Sequence, residues 1–146
     1  MLNKNMRLPA ICAPMFLVSS PNLVINACKN GVVGSFPAFN TRTQTALDEW
    51  LTTITAALDE EKQANPAAKV APYAVNLVVH ASNKRLHADF EIVKKHKVPF
   101  VITSQGNPKP VIDAVHQWGG IVFHDVITVA HARKAIEAGA DGLILV

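Results

Sequence analysis

The sequence has no apolar run clean enough to cross a bilayer. Its longest uncharged stretch, residues 8–28, is broken by Pro9, Pro14 and Pro21 and by four Ser or Asn residues. A span needs roughly 20 predominantly apolar residues, so no membrane partner is expected. Lys4 and Arg7 precede the apolar run 11–18, but no small-residue cleavage pattern follows it, and a secretory signal is not read there. Cysteine is scarce. Cys12 and Cys28 are the two present, without a CxxC spacing, which predicts reduced packing residues in a cytoplasmic protein. Aromatics make up 6% and do not interleave with the basic residues as a stacking platform requires, so no nucleic-acid partner is expected. GxGxxG, P-loop and GxSxG strings are absent. No linker, low-complexity segment or long repeat is visible.

What is present is an apolar, globular composition. Hydrophobic residues reach 49% against 17% charged, which excludes intrinsic disorder. A length of 146 residues suits one domain, 1–146, able to bury about two-thirds of its unfolded surface. The net charge is +3, and the positives are scattered. Five of them fall in residues 84–97 with Asp89 and Glu91, the pattern of a solvated helix face. The six histidines sit on separate elements. His80 ends an apolar run, whereas His87, His96, His116 and His131 fall in helical patterns. Zinc needs ligands that converge on one point, so no metal site is predicted.

Six apolar stretches read as strands: 8–15, 32–37, 72–79, 99–103, 120–124 and 142–146. They are near-continuous rather than alternating, as in strands covered on both faces. Helical patterns separate them. Ser20 and Pro21 form a cap and first-turn pair, and Gly31 ends that helix. Residues 43–64 carry Leu47, Trp50, Leu51, Ile54 and Leu58 on one stripe. Residues 83–97 place Leu86, Phe90 and Val93 inward, 108–118 run into Gly119, and Thr128 caps a helix that carries Val129, Ala132, Ala135 and Ile136 and stops at Gly139. The order βαβαβαβαβαβ predicts an α/β fold with a parallel sheet and right-handed crossovers.

Two architectures fit: a doubly wound sheet, or a (β/α)8 TIM barrel, which needs about 250 residues. The chain stops at Val146 inside an apolar run with no covering helix. It is therefore read as a barrel truncated after about six strands, with two unpaired edges that favour self-association. In both architectures function sits at the C-terminal strand ends. Those ends carry Ala13, Pro14 and Met15, then Ser35, then Asn76, then Ser104 and Gln105, then His124 and Asp125. Such a ring of amide, hydroxyl and imidazole groups suits a heteroaromatic ligand. A structural role for Asn76 in satisfying a neighbouring loop, and a helix-capping role for Ser104 and Gln105, stand beside that reading.

The string LPAICAPMFLVS at 8–19 resembles the first strand of the nitronate monooxygenases, and GSFPAFNTR at 34–42 resembles their second strand and loop. VNL at 75–77, TSQGNP at 103–108, VFHDV at 122–126 and AGADGLILV at 138–146 resemble the later strand ends.

The resemblance implies an FMN-dependent (β/α)8 barrel that oxidises alkyl nitronates with O2 to a carbonyl compound and nitrite. The flavin carries the redox chemistry, and the protein supplies position and electrostatics. It further implies that the backbone at Ala13, Pro14 and Met15 approaches the flavin ring, that Asn76 and Gln105 bond its polar edge, and that Ser104 and His124 stand nearby. Some relatives carry Lys at the place of Asp125, which favours a reduced anionic flavin; an acid does the reverse unless it turns outward toward the helix at Thr128. The family's catalytic His and its phosphate-binding strands fall beyond Val146, so the catalytic base is not among these residues. Met15, Phe16, Phe36 and Phe39 are candidates for an apolar substrate wall. The same strings also resemble the FMN-type enoyl-acyl carrier reductases. An inactive fragment and a non-enzymatic doubly wound domain are the remaining alternatives.

Overall fold

A computed structural model describes residues 5–146; Lys4 lies outside them. The chain divides into two compact units, one running to Ala74 and the other comprising Val75–Val146.

In the first unit, β1 is only Ile11–Cys12, far shorter than residues 8–15. Pro9 and Pro14 have no N–H to give a ladder, so the strand cannot extend through either. β1 pairs in parallel with β2 (Val33–Pro37), with Ile11 opposite Val33 and Cys12 opposite Gly34. Between them runs α1 (Pro21–Lys29), where the Ser20 hydroxyl accepts from the Leu23 N–H at 3.3 Å. α1 buries Val24 and Cys28. It lies so close to β2 that a Cβ on Gly34 would stand 2.7 Å from Val24 Cα. A 3-10 turn (Ala38–Asn40) follows β2, and Thr43 caps α2 (Gln44–Ala64), which buries Leu47, Leu51, Ile54 and Leu58. Both cysteines are free thiols. The Cys28 thiol contacts the Pro72 carbonyl at 3.5 Å, and burial pushes its pKa up to about 11, so it is unreactive at neutral pH.

The second unit contains β3 (Ala74–Val78), α3 (Leu86–Lys95), β4 (Phe100–Ser104), α4 (Lys109–Gln117), β5 (Ile121–Val126), α5 (Val129–Glu137) and β6 (Gly142–Leu145). Its strands lie in chain order, β3-β4-β5-β6. β4 and β5 are parallel, with Thr103 opposite His124, and β5 and β6 are parallel, with Phe123 opposite Gly142. A doubly wound sheet requires a point where the strand order reverses; this run has none, and that alternative falls. α3 starts three residues later than the apolar pattern suggests. The Asn83 amide donates to the Val78 carbonyl at 2.8 Å and its oxygen accepts from the Arg85 N–H at 3.0 Å, forming a polar turn ahead of the helix. α3 buries Val93 as expected, but it also buries Asp89, held by Arg85 at 3.0 Å. On α5 only Ala135 is buried, whereas Val129 and Ile136 face solvent.

Among the described residues no helix is long and apolar enough to cross a membrane.

Candidate functional site

Parallel strands alternate their side chains between two faces. The register of β4 and β5 therefore puts Thr103 beside His124 on one face, and the following pair, Ser104 and Asp125, on the other. Hydrogen bonds confirm both pairs. Thr103 Oγ1 and His124 Nδ1 are 2.8 Å apart. The Ser104 hydroxyl donates to Asp125 Oδ2. Asn76 on β3 joins the second pair, since its Nδ2 donates to Ser104 Oγ at 2.6 Å and to the Ile102 carbonyl at 3.3 Å. Both bonds consume amide hydrogens, which leaves Asn76 Oδ1 as an acceptor. The result is a chain, Asn76 to Ser104 to Asp125, across three adjacent strands.

β4 ends in an unusual backbone. Gln105 has φ +60° and Gly106 φ +71°, two successive residues in the left-handed region. Gly106 has a steric reason, since a Cβ there would lie 2.6 Å from the Val79 carbonyl oxygen. Gln105 has a side chain and no such excuse; the conformation costs about 1–2 kcal/mol. It is exposed, one residue past the end of β4.

These groups line one cavity of about 760 Å³ in the second unit, with Ser104, Gln105, His124 and Asp125 on its wall and His80, His131 and Lys134 around them. Asn76 reaches it through Ser104. His124 is 5% exposed, and burial lowers its pKa below the ordinary value, against the opposing pull of the Asp125 carboxylate and of a hydrogen bond to the Thr103 backbone. It is neutral at pH 7. Asp125 is not turned outward: its carboxylate faces Ser104. Among the described residues no group of three or more His, Cys, Asp and Glu is placed to hold a metal ion.

Of the sequence candidates, Asn76, Ser104, Gln105 and His124 thus gather at one end of the second unit. Ala13, Pro14 and Met15 belong to the first. There they open a loop, residues 13–19, tied internally. Ser19 Oγ accepts from the Met15 N–H at 3.0 Å and donates to the Ala13 carbonyl at 3.4 Å. Asn40 clamps it from outside. Its Nδ2 donates to the Met15 and Ser19 carbonyls at 3.1 and 2.8 Å, and its Oδ1 accepts from the Leu17 N–H at 3.1 Å. Asn40 was missed by sequence reasoning, although a small amide in the apolar string at 34–42 was a visible signal. Phe36, a candidate for the substrate wall, is instead fully buried and tilted against Trp50 at 5.4 Å. Met15, Phe16 and Phe39 remain exposed.

No family model matches the sequence, and no curated protein matches it either. Solved structures do. FabK from Thermotoga maritima is similar with a TM-score of 0.79 at 21% identity, covering 96% of this chain and 40% of that one. Nitroalkane oxidase from Streptomyces ansochromogenes is similar with a TM-score of 0.79 at 18% identity, covering 99% of this chain and 47% of that one. The chain spans less than half the length of either. Likeness at this identity speaks for fold, and the fold is that of a (β/α)8 barrel, of which this chain supplies six strands.

Proposed function

We propose that this chain contributes the flavin-ring contacts of an FMN-dependent oxidoreductase that oxidises alkyl nitronates with O2 to a carbonyl compound and nitrite. The observation that carries the reading is the line of polar groups at adjacent strand ends, Asn76, Ser104 and Gln105, beside a cavity of about 760 Å³. The set suits a flavin ring edge, which presents an N–H between carbonyl oxygens. Asn76 Oδ1 is left to accept the N–H, and the Gln105 amide is exposed to donate. When bound, FMN supplies the two-electron chemistry. The neutral His124 adds no charge to the pocket. The likeness to nitroalkane oxidase supports a nitro compound as substrate.

A second reading, an FMN-dependent enoyl-acyl carrier reductase fed by a nicotinamide, draws support from the likeness to FabK. What favours the first reading is that the Gly-rich helix start with an acid about 20 residues on, one way of holding a dinucleotide, does not occur in this sequence. The test is titration of the purified protein with FMN, followed by anaerobic mixing with ethylnitronate and, separately, NADH and NADPH. Bleaching by ethylnitronate is expected. A protein that takes up no FMN overturns the proposal, and reduction by a nicotinamide alone replaces it with the reductase. Asn76→Ala is expected to weaken FMN binding by about 1–2 kcal/mol, the worth of one hydrogen bond.

A further inference from the structure

We infer that the cavity of the second unit has a subsite for a singly charged oxyanion, the planar two-oxygen group of a carboxylate, a nitronate or nitrite, held by Lys134, His131 and His80. The subsite stands on these residues alone; its use as the seat of the nitronate rests on the function proposed above.

His131 and Lys134 lie three residues apart on α5, so they share one helix face, and both line the cavity. The backbone of His131 is already used, since its N–H donates to the Thr128 hydroxyl at 3.1 Å. What it offers a ligand is the imidazole rather than the helix start. That ring lies close enough to the buried His124 to oppose its protonation, so the two imidazoles share the cavity. His80 lines the same space from just past β3. Its Nδ1 accepts from the Ser82 N–H at 3.2 Å. A backbone N–H can only donate, so the ring proton sits on Nε2 and is the donor His80 has to give. Lys134 adds an ammonium with three donors, and no carboxylate among the described residues pairs with it.

Charge decides the class of ligand. With the histidines counted neutral, Lys134 is the one cation lining the cavity, and the Asp125 carboxylate lines it too. One oxygen of Asp125 is taken by Ser104, but its negative charge stays. One lysine balances one negative charge, and the carboxylate repels a second. A monoanion is therefore admitted and a dianion is not. A group with two equivalent oxygens can take a donor on each, one from α5 and one from His80. The volume of about 760 Å³ leaves room for the rest of a larger ligand beyond its charged end. Nitronate and nitrite, substrate and product of the proposed reaction, are both monoanions of this shape.

Anion binding needs no flavin, so the test leaves it out. Imidazole signals of the folded 146-residue chain are followed by NMR as sodium nitrite, sodium acetate or sodium sulfate is added at constant ionic strength. Saturable shifts of His80 and His131 are expected with nitrite and acetate, and none with sulfate. Their order of affinity tells a nitro-type group from a carboxylate. Lys134→Gln is expected to weaken binding about tenfold or more, as for one lost charge-assisted hydrogen bond. His131→Gln is expected to weaken it as well, read on His80. Lys94→Gln, on an exposed α3 ion pair with Glu91, is expected to change nothing. Circular dichroism checks that each variant is folded. No saturable shift in the wild type, a Lys134→Gln variant that binds as tightly, or sulfate bound as tightly as nitrite overturns the inference. FMN uptake without anion binding removes the subsite and leaves the oxidoreductase; anion binding without FMN uptake does the opposite.

Discussion

His124 shows how a single residue couples its environment to pH. It is buried beside Thr103, and desolvation holds its pKa below the ordinary 6.5. The unfolded chain protonates this imidazole first as pH falls. Between the ordinary value and the lower folded one, the unfolded state binds more protons, so stability rises with pH there. Stability is thus full above 6.5 and is lost as pH drops through that window. Urea unfolding at about pH 5, 6 and 7.5 is expected to show this slope in the wild type and a shallower one in His124→Gln; equal slopes would count against a depressed pKa. The place of such residues at the strand ends was legible in the sequence, since the apolar runs that mark the strands are local. Their pairing was not. Nothing local to Asp125 says that its partner is Ser104, because the pairing depends on the β4–β5 register, which only the folded sheet defines.

At the level of elements, Gly34 sets how closely α1 lies on β2. Any side chain there meets the backbone of Val24, with a Cβ 2.7 Å from its Cα, and backbone cannot rotate away. Gly34→Ala is expected to lower unfolding stability by about 1–3 kcal/mol, read as a reduced urea midpoint; an unchanged midpoint would mean that the helix moves freely off the strand. The order of strands and helices was readable because periodicity and caps are local, as Ser20, Thr43 and Thr128 show. Two boundaries were misjudged where polar side chains or prolines overruled an apolar pattern. Pro9 and Pro14 cut β1 to two residues, and Asn83 delayed α3. The buried Asp89 stood against the helical pattern because its partner, Arg85, lies one turn back on a face expected to be solvated.

At the scale of the whole molecule, several large apolar side chains stand exposed among the described residues. Around α5 and β6, Ile127, Val129, Ile136, Leu145 and Val146 face solvent, the last two at 80% and 74% exposure. Phe16 and Leu17, at 63% and 79%, do the same in the first unit. Patches of this kind mark association surfaces or aggregation hazards. Sedimentation velocity is expected to show mass increasing with concentration, and Leu145→Lys with Val129→Lys to reduce it. A concentration-independent monomer would instead show that these side chains are tolerated singly.

Gln105 has a consequence for engineering. Glycine at φ +60° is unstrained, so Gln105→Gly is expected to raise the thermal midpoint by relieving about 1 kcal/mol while weakening FMN binding through the lost amide. A library screened for heat resistance alone would converge on that substitution and discard the proposed ligand contact in doing so. On that proposal, the glutamine is a place where thermostability and activity are set against each other by one backbone angle.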